Sequence, residues 1–141
     1  LEVQVLRDSK GNSKLLGIRD CSVQRDYQKL IEESVFNIPK KTQQILFDHA
    51  LKLINHIDYV GAGTVEFIYD LKEKQVYFME MNTRLQVEHP VTEMVSQVNP
   101  CSSSLKLPKE KTSPNSRSGS MDMRSRFELT LNGSRFRIMD L

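Results

Sequence analysis

The feature that most constrains this 141-residue chain is a compositional seam close to residue 100. The first 99 residues hold five serines, 12 cationic and 14 anionic side chains; the last 42 hold nine serines, eight cations and four anions. The second stretch carries three adjacent serines, Ser102 to Ser104, and a run of turn formers from Ser113 to Ser120. Such composition does not bury a core. Any compact fold must therefore come from residues 1–98, which suffice for one modest domain. Residues 100–141 are read as a linker or disordered tail.

Within residues 1–98 the hydropathy pattern alternates between strand and helix periods. Val3 and Val5 flank Gln4 and lead into Leu6, a short strand. Asp8 to Asn12 is turn chemistry, with Gly11 and Asn12 tolerant of positive φ, and Lys14 to Ile18 returns as the second strand of a hairpin. Asp26 to Glu33 is too short to assign. Lys41 to Ile57 is the clearest helix, because Leu46, Ala50, Leu53, Ile54 and Ile57 form one apolar stripe. Gly61-Ala62-Gly63 punctuates the chain before two β-rich runs, Thr64 to Tyr69 and Gln75 to Met81, joined by the charged loop Asp70 to Lys74. Pro90 opens a last segment, with Val91 to Val98 expected to be helical.

Several function classes drop out. A net charge of +2 is no polyanion-binding excess, so no nucleic-acid partner is expected. No apolar run is long enough to cross a membrane, and no secretory leader opens the chain. Cys21 and Cys101 have neither metal spacing nor a disulfide framework, which fits a reducing compartment. The chain opens on Leu1, read as the interior of a longer protein.

The chemistry concentrates on the second β pair. Positions i and i+2 of a strand share a face, so Glu80 and Asn82 project together and Met79 and Met81 take the apolar side. Glu66 on the neighbouring strand reaches the same place. Two carboxylates and an amide oxygen are hard ligands suited to Mg²⁺ or Mn²⁺. The same spacing also describes two exposed strand glutamates. Arg84, Gln86, Glu88 and His89 then crowd a short stretch before Pro90. Arg84 can hold a planar anion bidentately, and Glu88 can serve as a general base if tuned; an Arg84–Glu88 ion pair is the plainer reading. Lys29, near Gln24, Arg25 and Gln28, either meets a phosphate or belongs to a solvated face.

Taken as a set, these residues are recognisable. The run from Phe78 to Met94, Phe-Met-Glu-Met-Asn-Thr-Arg-Leu-Gln-Val-Glu-His-Pro-Val-Thr-Glu-Met, resembles a signature of the biotin carboxylase family, the ATP-grasp component of biotin-dependent carboxylases. Gly61-Ala62-Gly63-Thr64-Val65-Glu66-Phe67 resembles a second family motif. Arg19-Asp20-Cys21-Ser22-Val23-Gln24-Arg25 with Gln28-Lys29 resembles a third, and Glu2-Val3-Gln4-Val5 a fourth. They occur in family order over residues 1–98. Other ATP-grasp ligases share the paired carboxylates but not the Gln-Val-Glu-His-Pro run. The wording is most similar to acyl-CoA carboxylase α subunits of the methylcrotonyl-CoA and propionyl-CoA kind.

The resemblance implies an α/β fold of α+β type: an ATP-grasp antiparallel sheet with packed helices, here as an incomplete domain. It implies that Glu66 and Glu80, assisted by Asn82, hold Mg²⁺ or Mn²⁺ on ATP. Lys29 and Gln24 lie at the phosphates, with Lys29 also near bicarbonate. Arg84, Gln86 and Val87 bind bicarbonate, and Glu88 deprotonates it. Bicarbonate attacks ATP to give carboxyphosphate, which supplies CO₂ to biotin on a carrier domain outside this chain. A carboxyltransferase subunit is the further expected partner, in the cytoplasm or the mitochondrial matrix. Isolated, the chain is expected to be inactive, as a segment of a working subunit; the alternatives are a non-catalytic relic or gene-model fragment and, more weakly, another ATP-grasp carboxylate ligase.

Two departures stand out. The family pattern Gln-Arg-Arg-His/Asn-Gln-Lys reads Gln24-Arg25-Asp26-Tyr27-Gln28-Lys29 here, placing an anion and a phenol near the phosphates. After Asn99 the family's Gly-Glu-Xaa-Leu-Pro and Gly-His-Ala-Ile-Glu-Xaa-Arg motifs are missing. Codons for Met121 to Asn132, read one register over, permit Gly-His-Ala-Ile-Glu-Val-Arg-Ala-Tyr-Ala-Glu, and Pro100 to Pro114 permit a second family-like stretch in the same register. Residues 100–141 are thus read either as a true tail or as a frame-shifted stretch.

Overall fold

The computed structural model describes residues 1–35, 37–105, 128–131 and 134–137. Among these, the main body is a five-stranded antiparallel sheet. Its strands are β1 (Glu2–Arg7), β2 (Ser13–Asp20), β5 (Glu33–Ser34), β6 (Gly61–Asp70) and β7 (Gln75–Asn82), in the order β5-β2-β1-β6-β7. β3 (Gln24–Arg25) and β4 (Gln28–Lys29) form a separate two-stranded ribbon. The helices are α1 (Lys40–His56), α2 (His89–Ser96) and α3 (Pro100–Leu105). Beyond the seam, β8 (Glu128–Leu131) and β9 (Ser134–Arg137) pair antiparallel. The rest of the expected tail, and with it most of the frame-shift reading, lies outside the described residues.

The first hairpin closes as its turn residues dictate. Asp8 Oδ1 accepts the backbone N–H groups of Lys10 at 2.9 Å and Asn12 at 2.8 Å, while Gly11 takes a φ of +85°. The stretch left unassigned, Asp26 to Glu33, supplies the turn and second strand of the β3–β4 ribbon and, at Glu33, the start of β5. Its turn uses Asp26 and Tyr27, both with positive φ, which is the twist a two-residue hairpin loop requires.

One face of the sheet is apolar. Val3, Val5, Ile18, Val65 and Phe67 pack against Leu46, Ala50, Leu53 and Ile54 of α1. Each fully buried Val, Leu or Ile contributes about 1.5–3 kcal/mol, so this seam holds α1 on the sheet. The apolar spacing seen in the sequence is the buried stripe, but Ile57, expected to join it, caps the helix and is exposed.

Two β-bulges correct the simple alternation. Between β6 and β7, Glu66 faces Glu80 while Phe67 faces Phe78, so Met79 is the extra residue. Met79 is therefore exposed rather than on the apolar side, and Val76, Phe78 and Met81 pack on the core instead. The bulge is what lets Phe78 and Met81, three apart, share a face while Glu80 and Asn82 share the other. A second irregularity, where Gln4 faces Gly17 and Val5 faces Leu15, skips Leu16 beside Gly17 at φ +131°. Leu16 then joins Leu6 and Ala62 in a small cluster on the opposite face, covered by Leu85 and Val98.

The helix expected from Val91 begins two residues earlier, at His89, and stops at Ser96, where Gln97 adopts a left-handed cap. β6 likewise begins at Gly61 rather than Thr64. Gly63 is a glycine for want of room: a Cβ there would stand 3.0 Å from the Asn82 carbonyl oxygen and 3.1 Å from the Tyr59 ring.

Candidate functional site

The face opposite α1 is polar and nearly as dry. Glu2, Gln4, Arg19, Thr64, Glu66, Gln86 and Thr92 are all buried. Strand alternation puts Glu2 and Gln4 there from β1, Arg19 from β2, and Thr64 and Glu66 from β6, in facing register. The loop after β7 and helix α2 lie over them and contribute Gln86, Glu88 and Thr92.

Arg19 ties this layer together. Its guanidinium meets Glu2 Oε1 at 2.5 Å and Glu32 Oε2 at 3.1 Å. Nη1 donates to Gln4 Oε1 at 3.0 Å and to Thr92 Oγ1 at 2.5 Å, and Nη2 donates to Gln86 Oε1 at 3.1 Å. Gln86 Nε2 in turn donates to Glu66 Oε1 at 3.1 Å. A buried guanidinium whose donors are satisfied in this way fixes the strands and the loop in one arrangement.

Lys29, delivered by the β3–β4 ribbon, sits at the centre. Its Nζ donates to Glu2 Oε2 at 2.5 Å, Glu66 Oε1 at 3.0 Å and Glu88 Oε1 at 3.2 Å, with Glu32 Oε1 at 3.8 Å. Burial opposes its charge, but the bonds and charges of Glu2 and Glu66 outweigh burial and raise its pKa. Glu88 is likewise opposed by burial; the bond from its own backbone N–H and the bond from Lys29 prevail and lower its pKa. Glu32 goes the other way. Burial, reinforced by the Glu2 and Glu88 charges, pushes its carboxyl up to about 8. Burial also raises the Cys21 thiol beneath this cluster.

Glu80 stands across the ladder from Glu66, and Asn82 Nδ2 donates to both, at 2.9 Å to Glu66 Oε1 and 3.2 Å to Glu80 Oε1. Among the described residues the cluster thus sets five carboxylates (Glu2, Glu32, Glu66, Glu80 and Glu88) against Arg19 and Lys29. That excess of hard oxygen donors fits a small divalent cation. A cavity of about 300 Å³ adjoins Glu66 and is bounded by Cys21, Gln24, Ile68 and Met79.

The structure therefore gathers Lys29, Glu66, Gln86 and Glu88 around one point and sets Glu80 and Asn82 beside them. Gln24 lies at the rim, donating to the Cys21 carbonyl at 2.7 Å. Arg84 and Val87 are not gathered in. Arg84 is exposed and donates to the Leu85 carbonyl at 3.3 Å, and Val87 is 88% exposed. The simple Arg84–Glu88 pair is not formed; Glu88 pairs with Lys29. Asp26 and Tyr27, the two departures, stand at the exposed tip of the ribbon.

Sequence reasoning missed Glu2, Gln4, Arg19 and Glu32. Polar residues alternating with valines look like a solvated strand face. No local signal could have found them: α1 covers one face of β1, and the β7–α2 segment, through Gln86, Glu88 and Thr92, covers the other.

Comparison with known proteins bears on the family and the fold. The family described as "Carbamoyl-phosphate synthase L chain, ATP binding domain" matches residues 1–114. Biotin carboxylase 1 of Bacillus subtilis is 56% identical over 97 residues, covering 68% of this chain and 22% of that protein. The crystal structure of a biotin carboxylase complex with β-γ-ATP from Campylobacter jejuni is 51% identical with a TM-score of 0.72, over 75% of this chain and 24% of that one. The biotin carboxylase domain of Hydrogenobacter thermophilus 2-oxoglutarate carboxylase, in complex with MgADP, ADP and bicarbonate, is 47% identical with a TM-score of 0.66, over 70% and 22%. The chain spans about a fifth to a quarter of the length of these relatives. With its family match, its antiparallel ATP-grasp sheet and its four motifs in order, the chain belongs to the biotin carboxylase family.

Proposed function

We propose that this chain forms the cation- and bicarbonate-facing wall of a biotin carboxylase site and works only within a complete subunit. The observation that carries this reading is the convergence of Glu2, Glu66 and Glu88 on Lys29, beside the paired Glu80 and Asn82. Glu66 and Glu80, with Asn82, would hold Mg²⁺ or Mn²⁺. That ion supplies neutralisation of charge on the ATP phosphates. Lys29 offers a fixed positive charge to an incoming anion, and Gln24 borders the phosphate side. Glu88, held ionised, takes the bicarbonate proton on its carboxylate. Gln86 holds Glu66 in place, while Arg84 and Val87 flank the open side, where Arg84 swings in to grip bicarbonate. The carboxyl group then passes to biotin on a carrier domain, and onward through a carboxyltransferase. Cytoplasm and mitochondrial matrix both suit this chemistry. Among the described residues no helix is long and apolar enough to cross a membrane.

The second reading is a non-catalytic relic. The observation favouring it is the loss of family motifs after Asn99. A chimera separates the two readings: residues 1–97 replace the matching segment of the Bacillus subtilis biotin carboxylase. Bicarbonate-dependent ATP hydrolysis is expected in the chimera, and Glu88→Gln is expected to lower it by about a hundredfold or more. A folded chimera without bicarbonate-dependent turnover sinks the catalytic reading.

A further inference from the structure

One constellation is left over by the Lys29 cluster. Helix α2 opens on His89, and Glu93 follows one turn later, so the two side chains share a face. Helix α3 sets Cys101 against that face, with Sγ 3.8 Å from His89 Nε2. On the other side of the ring, His89 Nδ1 lies 2.9 Å from Glu93 Oε1. Both of those atoms are shut off from solvent, yet neither makes a hydrogen bond. They pair as ions when the ring is protonated; with a neutral ring the two leave a site for a shared cation. One ligand atom from each of the three residues falls within 4.8 Å of the others.

We infer that His89, Glu93 and Cys101 form a binding site for a divalent transition metal of the zinc class. Thiolate, imidazole and carboxylate are the donor set such ions take, in contrast with the all-oxygen set of Glu66, Glu80 and Asn82. Zinc holds these donors at about 2.0–2.3 Å, so binding draws Cys101 and Glu93, now on opposite sides of the ring, toward whichever nitrogen ligates. One imidazole nitrogen ligates, Cys101 releases its thiol proton to solvent on binding, and water completes the tetrahedron. Bound metal would pin α3 to α2. Because Cys101 lies past Asn99, where the chain departs from the family pattern, the site belongs to this chain's own sequence.

The test is titration of the 141-residue chain with Co²⁺, followed in the near-ultraviolet. The expected result is a thiolate-to-metal charge-transfer band saturating at about one equivalent, displaced by Zn²⁺, kept in C21S and lost in C101S. An oxygen-only site gives no such band, so cation binding at Glu66 and Glu80 does not mimic it. Zn²⁺ should also raise the thermal midpoint of the parent chain but not of C101S. Absence of the band overturns the inference. So does a band lost in C21S but kept in C101S, which would place the metal at Glu2, Cys21 and Glu66, and so does an equal band from the urea-unfolded chain.

Discussion

The two faces of the central sheet are built from the same strands and are both buried along β1 and β6, yet they do opposite things. Toward α1, Val3, Val5, Val65 and Phe67 bury area that drives folding. On the reverse, Glu2, Gln4, Thr64 and Glu66 alternate with them and bury charge, which costs stability unless it is paired. A protein has no folding reason to prefer the second arrangement. What the reverse face gains is a fixed constellation of carboxylates around one lysine, in surroundings that strengthen every charge interaction. Burial is common to both faces, so burial alone does not tell fold from function; alternate positions on the strands do.

The largest expected effect breaks the polar layer. Arg19→Ala takes from the fully buried Glu2 one of its two ion-pair partners, leaving Lys29, and strips Glu32, Gln4, Gln86 and Thr92 of a buried cationic donor; it should cost about 3–5 kcal/mol by urea denaturation. Replacing Glu2 and Arg19 together by methionine should recover most of that loss, whereas Arg19→Met alone, which keeps the bulk but not the charge, should not. Leu46→Ala on the apolar face should cost about 2–5 kcal/mol through its cavity. A polar face that proved indifferent to Arg19→Ala while the apolar face did not would break the comparison. Next comes Gly63→Ala, where the added methyl meets the Asn82 carbonyl and Tyr59; about 1–3 kcal/mol is expected from the denaturation midpoint.

A smaller effect concerns pH. The Glu32 carboxyl is raised from 4.5 to about 8 in the folded protein, so the folded state holds a proton that the unfolded chain has released. Its contribution is fully present below 4.5 and is lost as pH rises through about 8. Stability should therefore fall with rising pH across that window, and Glu32→Gln should flatten the fall. A parent chain whose stability is level there, or a Glu32→Gln chain that still declines equally, contradicts it. Least of all, Asp26→Asn at the exposed ribbon tip should leave the midpoint unmoved, since the Arg25–Asp26 pair at 3.7 Å is open to water.

How much of this was legible follows the same division. The α1 stripe and the hairpin at Asp8–Asn12 could be read directly, because hydrophobic period and turn chemistry are local signals. The Glu80–Asn82 pairing with Glu66 was legible too, through the i, i+2 rule across a short loop. Met79 was misplaced because a bulge is a property of two paired strands, and one strand's sequence does not announce it. Glu2, Arg19 and Glu32 were missed because they come from three separated segments and look individually like solvated charges. Their burial depends on β1 being central and on the β7–α2 loop folding over them, neither of which is a local property.

The most direct test of the two-face division measures turnover and thermal midpoint on the same chimera carrying Glu80→Gln or Leu46→Ala. The expected result is that Glu80→Gln lowers bicarbonate-dependent ATP hydrolysis by about a hundredfold or more at an unchanged midpoint, while Leu46→Ala lowers the midpoint and spares the turnover of whatever remains folded. Full turnover with Glu80→Gln, or a midpoint that falls in step with activity, would contradict the assignment of the polar face to chemistry.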